Sequence, residues 1–143
     1  MAERPATIRE NGRAKAYRPL PEAARRAAFA SALEAYERGD FFLAHELLEP
    51  AWMGASDPAE RALHSGLIKI AAAFVHAVRG NAAGVTKNLE GARTRLRNGL
   101  AAGPDFGIDV AAVLAQVDAS LAGVRRGDSP SPVELTSMEA TIR

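Results

Sequence analysis

The residues best suited to chemistry lie in one short stretch, GDFFLAHELLEPAWMGA, at residues 39–55. Within this stretch His45 and Glu49 are four residues apart, and Trp52 follows close behind. On a helix this spacing places the three side chains next to one another on the apolar face, whereas Glu46 points away from it. A histidine beside a carboxylate can transfer protons or bind a divalent metal, so this helix carries the first candidate site.

The next predicted helix offers a second histidine to the interior. His64 lies on its apolar stripe, with Ser65 and Lys69 on the flank. If the two helices form an antiparallel hairpin, His45, Glu49 and His64 can meet. Buried polar groups without partners cost on the order of several kcal/mol, so such residues need hydrogen bonds or a solvated cavity. The candidate pocket residues are His45, Glu46, Glu49, Trp52, His64, Ser65 and Lys69.

Three interpretations of these polar residues are open. In the first, Glu49 accepts hydrogen bonds from an imidazole or from the Trp52 indole, and the network fixes the helix register. In the second, the residues form a small polar pocket for a ligand or partner. In the third, His45, Glu49 and His64 bind a metal or act as acid and base. The motif HELLE has glutamate where the zinc motif H-E-x-x-H has its second histidine, so it gives no specific metalloprotease signal.

The elements that position these residues are all predicted to be helical. Five segments repeat apolar residues every three or four positions, and none alternates convincingly with period two, so we predict no sheet. Asp40, Asp57 and Asn81 suit helix starts, whereas Gly39 and Gly80 suit helix ends. The predicted fold is all-α, a compact bundle of about five helices built from antiparallel helical hairpins. Its predicted parts are a flexible basic N-terminal arm (1–19), a helical domain (20–126) and an extended C-terminal tail (127–143).

The composition limits the classes of function. The 143 residues include 17 acidic and 18 basic side chains. Because the net charge is close to zero, the composition predicts no overall electrostatic attraction to nucleic acid or to anionic lipid. There is no cysteine, so disulfides, thiolate metal sites and cysteine nucleophiles are excluded. Residues 1–19 lack the apolar segment of a secretory signal, and the apolar run at 67–78 is too short to span a bilayer. We expect a cytoplasmic protein with no membrane partner, and nucleic acid binding is not expected.

Several motifs resemble a known family. The segments GDFFLAHELLEPAW, GLIKIAAAFVHAVRGN, GARTRL and FGIDVAAVL are similar to the bacterial and archaeal domain-of-unknown-function family numbered three hundred and nine. The resemblance covers about residues 25–120 and implies a compact all-helical domain. Where the family pattern has glutamine on both sides of GLI, this sequence has Ser65 and Lys69. The family has no assigned function and so implies no catalytic residue. Its polar positions fall here at His45, Glu46, Glu49 and Trp52.

From these observations we expect a small helical module that binds an unidentified protein or small molecule. In this hypothesis His45, Glu49 and His64 form a mainly structural polar cluster, and no cofactor is expected. The alternative hypothesis is a hydrolase-like enzyme that uses the same three residues with a divalent metal. The fifth helix offers an apolar stripe, residues 110–124, through which a homodimer could form.

Overall fold

Five α-helices make up most of the structure, a computed structural model that describes residues 6–10 and 12–138. Consecutive helices pack against one another, which confirms the predicted all-α bundle. Two short 3-10 turns, Leu100–Ala102 and Pro104–Phe106, lie between the last two helices. The helices are α1 (Glu22–Glu37), α2 (Phe41–Gly54), α3 (Pro58–Val78), α4 (Ala82–Asn98) and α5 (Val110–Arg125).

Side-chain caps determine where four of the helices begin. In each case a carboxylate or amide oxygen accepts a hydrogen bond of 2.9–3.2 Å from the backbone N–H three residues later. Gly39 and Gly80 follow the ends of α1 and α3 with φ of 81° and 71°, a left-handed conformation that favours glycine. Helix α2 continues through Pro50. The caps are Asp40, Asp57 and Asn81, as predicted, and Asp109.

Helix α3 lies at the centre of the bundle, packed against α2 and against α4. A methyl group added to Gly99 would lie 2.7 Å from the Leu63 nitrogen, and one added to Gly66 would lie 2.7 Å from Leu96 Cδ2. The start of α3 therefore meets the end of α4, so the two helices run antiparallel at close range. Among the described residues, no helix has both the length and the apolar composition needed to cross a membrane.

The apolar stripe of α5 packs into the hydrophobic core of the protein itself. Val110, Val113, Val117 and Leu121 are all at most 3% exposed and belong to the core. Most of the stripe that suggested a homodimer is thus packed within the chain, whereas Leu114 and Val124 are only half-buried. Oligomeric state stays a prediction.

A β-hairpin lies where the sequence predicted a flexible arm without strands. Strands β1 (Ala6–Glu10) and β2 (Arg13–Tyr17) pair antiparallel, with Glu10 opposite Arg13, and Gly12 in the turn has φ of 76°. In each strand alternate side chains are half-buried, Ile8 and Glu10 in β1 and Lys15 in β2 among them. The hairpin corrects the prediction for residues 6–17 because these side chains find partners on the bundle. Residues 1–5 and 11 lie outside the described part of the chain.

The C-terminal segment is extended and packs onto the bundle. The Tyr36 hydroxyl donates to the Val133 carbonyl at 2.5 Å, and the Val133 side chain is buried. The Asp109 N–H donates to the Thr136 carbonyl, and the Met138 N–H donates to the Gly107 carbonyl, both at 2.9 Å. Residues 139–143 lie outside the described part of the chain.

Candidate functional site

The structure separates His64 from His45 and Glu49. His64 is fully buried, and its ring contacts Phe29 and Phe106 at centroid distances of 5.7 and 5.1 Å. His45 and Glu49 instead line a cleft in which His64 takes no part. The predicted meeting of the three residues is therefore wrong, because His64 points from α3 towards α1 and the second 3-10 turn rather than towards α2.

The partner of His64 is Glu60, one turn earlier on α3. The imidazole donates from Nε2 to Glu60 Oε2 at 3.0 Å, and Arg25 of α1 donates to the same carboxylate from Nε at 2.6 Å and from Nη2 at 3.2 Å. Burial alone would raise the pKa of Glu60, but the hydrogen bonds from His64 and Arg25 outweigh it and hold that pKa below its ordinary value. Glu60, Arg25 and His64 thus form a largely buried network that joins α1 to α3, in which His64 Nδ1 has no hydrogen-bond partner in the described part of the chain.

Five of the seven predicted pocket residues converge on a different feature, which we call the hairpin cleft. It is a cavity of about 520 Å³ between the β-hairpin and the helices α2, α3 and α4. The hairpin and α4 contribute lining residues that the sequence did not single out. The predicted residues that line it are His45, Glu49, Trp52, Ser65 and Lys69, and the others are Glu10, Arg13, Lys15, Ile68 and Arg95.

Positive charge predominates in the hairpin cleft. Four of its lining side chains are cationic and two are carboxylates. Within the part of the chain that the structure describes, no ion pair involves any of the four cations. Glu10 is paired with Arg61. Glu49 is therefore the one lining carboxylate left to balance the charge of the four cations. The cations are Arg13, Lys15, Lys69 and Arg95.

Lys69 and Arg95 come together over a glycine of α4. A Cβ atom on Gly91 would lie 3.1 Å from Arg95 Nη1 and 3.6 Å from Lys69 Cδ, so the absent side chain leaves room for both. Arg95 Nη1 donates to the Gly91 carbonyl at 3.1 Å, which orients the guanidinium. Burial lowers the pKa of Lys69, and the positive charges of Arg95, Lys87 and Lys15 lower it further. An anion placed here would relieve this repulsion.

Arg61 is a buried cation at the edge of the cleft. Its side chain is 2% exposed, and Nη1 donates to the carbonyls of Trp52 at 2.9 Å and Ala55 at 3.1 Å. The guanidinium also lies over the Trp52 ring, 5.0 Å from its centroid. Glu10 of the hairpin accepts from Arg61 Nε at 3.1 Å and from the Trp52 indole at 3.2 Å.

His45 has an unsatisfied ring nitrogen in the cleft wall, and Glu46 lies outside the cleft. His45 Nδ1 is buried and has no hydrogen-bond partner in the described part of the chain. Glu46 Oε1 is 3.7 Å away, too long for a hydrogen bond, and its side chain is half exposed. Among the described residues, no group of three or more His, Cys, Asp or Glu is arranged to hold a metal ion. His45, Glu49 and His64 therefore do not form the metal site considered from the sequence.

The fold and cleft define a small helical bundle with a cation-lined cavity beneath a hairpin. Residues 29–88 match the model of the family described as Domain of unknown function (DUF309). No curated protein and no solved structure matches the chain. The matched segment contains all seven predicted pocket residues but neither the hairpin nor Arg95, and it ends before the motifs GARTRL and FGIDVAAVL. Two of the cleft's walls thus come from outside the matched segment.

Proposed function

We propose that this protein is a helical binding module whose hairpin cleft binds a small anionic molecule. The observation that carries the proposal is the set of four cations lining one cavity without an ion-pair partner in the described part of the chain. Arg13 is exposed and the other three are half-buried, so the cations repel one another in a partly screened cavity, and a counter-charge that approaches them lowers this repulsion. A bound anion supplies that counter-charge.

The size and lining of the cleft suit an organic anion. Its volume of about 520 Å³ falls in the range of small-molecule pockets, on the order of 300–1,000 Å³. Arg95 can donate two parallel hydrogen bonds to a carboxylate or phosphate, and Lys69 adds a compact charge beside it. Trp52 and Ile68 provide apolar surface for the rest of the ligand. The preferred ligand is a molecule with a carboxylate or phosphate group on a small carbon frame.

A second candidate function is acid–base catalysis in the same cleft, and the observation that favours it is that a histidine and a carboxylate, His45 and Glu49, both line the cavity. His45 and Glu49 are one turn apart on α2 and both face the cavity. A histidine and a carboxylate at one cavity can exchange protons with a bound substrate. The binding proposal takes precedence because it needs no chemical step.

Thermal unfolding tests the binding proposal. Inorganic phosphate and citrate are added to the wild type, Lys69→Gln, Arg95→Gln and the control Arg97→Gln, with chloride at equal ionic strength as the reference. Arg97 is exposed on the same helix and lies outside the cleft. A ligand at about ten times its Kd stabilises by roughly 1.4 kcal/mol, or about 4–5 °C for a chain of this length.

We expect this shift in the wild type and in Arg97→Gln, and a loss of most of it in the two cleft variants. Phosphate and citrate also stabilise proteins generally by exclusion from the surface. Equal shifts in all four proteins would therefore mean a general salt effect and would contradict the proposal.

A further inference from the structure

The contact between the hairpin and the helices has the geometry of a ligand-binding site. One oxygen of the Glu10 carboxylate accepts from the Trp52 indole at 3.2 Å, and the other accepts from Arg61 Nε at 3.1 Å. Two donors on the bundle thus face the two oxygens of one carboxylate. An indole N–H and a guanidinium N–H offer donors only, so this position selects an acceptor that carries negative charge.

The donors are held in place by the bundle itself rather than by the hairpin. Arg61 Nη1 is bound to the carbonyls of Trp52 and Ala55, and the guanidinium stacks on the Trp52 ring. Arg61 Nη2 is buried and has no hydrogen-bond partner in the described part of the chain. A cation with 2% exposure and one free donor is strongly disposed to bind an anion.

The carboxylate that fills this position is attached to a short, separately anchored element. Just after β2 the chain is fixed to the end of α2, where the N–H groups of Arg18 and Leu20 donate to the carbonyls of Met53 at 2.9 Å and Gly54 at 3.2 Å. Glu10 lies at the opposite end of the hairpin, beside its turn. Loss of the Glu10 contact would free the tip of the hairpin while its base stays attached.

Glu10 also stands between two cavities. A second cavity of about 380 Å³ adjoins the hairpin cleft, and both are lined by Glu10, Ser65 and Arg95. Arg61 lines the second cavity. Moving Glu10 aside would join the two and bring the Arg61 guanidinium to the wall of one continuous site.

We infer that Trp52 and Arg61 form a carboxylate-binding site that Glu10 occupies from within the chain, and that the carboxylate of a small organic acid replaces Glu10 there. The inference deepens the proposed function and rests on it in one respect: the rest of the acid lies in the hairpin cleft beside Lys69 and Arg95. The hairpin then acts as a tethered competitor that leaves the site when the acid binds.

Chemical rescue of Glu10→Ala by acetate tests the inference. Trp52 is the single tryptophan of the chain and donates directly to Glu10, so its fluorescence reports on the site. Acetate is titrated into the wild type, Glu10→Ala and the control Glu34→Ala, against chloride and phosphate at equal ionic strength. Glu34 is exposed on α1, away from both cavities.

In the wild type the tethered carboxylate competes at an effective concentration on the order of millimolar or above. We therefore expect acetate to change Trp52 emission saturably in Glu10→Ala, with an apparent affinity at least about tenfold higher than in the wild type and in Glu34→Ala. Chloride should have no such effect. A response to acetate no larger than that to chloride, or an equal response in all three proteins, would overturn the inference, and a response to phosphate alone would replace carboxylate with phosphate as the ligand chemistry.

Two further variants keep the outcomes separable. Far-ultraviolet circular dichroism shows whether the helices of Glu10→Ala are intact, and Glu10→Ser, which also vacates the carboxylate position, replaces it if they are not. Rescue by acetate should persist when Lys69→Gln is added to Glu10→Ala, since Trp52 and Arg61 are unchanged. Anion binding that depends on Lys69 and Arg95 without acetate rescue would leave the proposed function standing and remove only the Trp52–Arg61 site.

Discussion

Replacing Glu60 by alanine should destabilise the fold strongly, because it removes the acceptor shared by Arg25 and His64. Three hydrogen bonds, between 2.6 and 3.2 Å, end on this carboxylate. Removing one partner of a buried ion pair costs about 3–5 kcal/mol, because the remaining charge is left uncompensated. The side chains of Arg25 and Glu60 are 19% and 11% exposed, so some water reaches the ion pair. The cost of removing Glu60 should therefore lie at the lower end of this range. We expect a loss of about 3 kcal/mol in the free energy of unfolding.

Chemical denaturation measures this loss, with Glu22→Ala as the matched control. Glu22 also pairs with an arginine of α1, but its side chain is 65% exposed, so its removal should cost at most about 0.5 kcal/mol. At roughly 3 °C per kcal/mol for a chain of this length, Glu60→Ala should also melt about 10 °C lower than the wild type. A loss for Glu60→Ala as small as that for Glu22→Ala would refute the reasoning.

The same network predicts a pH dependence. The pKa of Glu60 is lower in the folded protein than its ordinary value of 4.5, so its stabilisation is fully present above that ordinary value. It is lost as the pH falls through the folded-state pKa, because the carboxylate is then protonated in both states. The difference between the wild type and Glu60→Ala should therefore be constant near neutral pH and shrink in acid.

Three other predictions concern the cleft and the close helix contact. Anion affinity should fall as the pH rises through the pKa of Lys69, which burial and neighbouring cations lower, and Lys69→Gln should abolish this dependence in a calorimetric pH series. His45→Ala should change the free energy of unfolding by less than about 1 kcal/mol, because His45 is 28% exposed and its Nδ1 has no partner in the described part of the chain; a larger loss would make it a structural residue. Gly99→Ala should destabilise by about 1–3 kcal/mol in denaturant unfolding, because the new methyl meets the Leu63 backbone at 2.7 Å, and a gain in stability would show that the helices can separate without cost.

The helices were predictable from the sequence because their signals are local. Asp40, Asp57 and Asn81 each precede an apolar periodic segment, and a cap depends only on residues within one turn. The hairpin was missed although Asn11-Gly12 is a favourable turn pair, because its strands are short and contain few large apolar residues. Its strands depend on partners from α2 and α3, which a local pattern does not reveal.

The candidate site was predicted in part. His45, Glu49 and Trp52 share one face of α2, as helical periodicity requires, but that face is half-buried and lines the cleft instead of forming part of the apolar core. Periodicity does not determine which neighbour covers that face, so His64 was assigned to the wrong side of α3. Its true partner is the i−4 residue Glu60, a spacing that was visible in the sequence.

Arg61 was missed for a related reason. An arginine in the first turn of a helix is usually solvated, and its burial here depends on the carbonyls at the end of α2 and on Glu10, which is 51 residues distant in the chain. Arg13, Lys15 and Arg95 likewise join the cleft only through tertiary packing. The excess of positive charge in the cleft was therefore hidden in a sequence whose total charge is nearly balanced.

The most direct test of the account is a calorimetric titration of citrate into the wild type and into the double variant Lys69→Gln/Arg95→Gln at neutral pH and constant ionic strength. We predict saturable binding of one citrate per chain in the wild type and a loss of affinity of at least about tenfold in the double variant, because the two cations that flank Gly91 are then neutral. Binding of equal strength in both proteins, or none in the wild type, would contradict the claim that the hairpin cleft is an anion site.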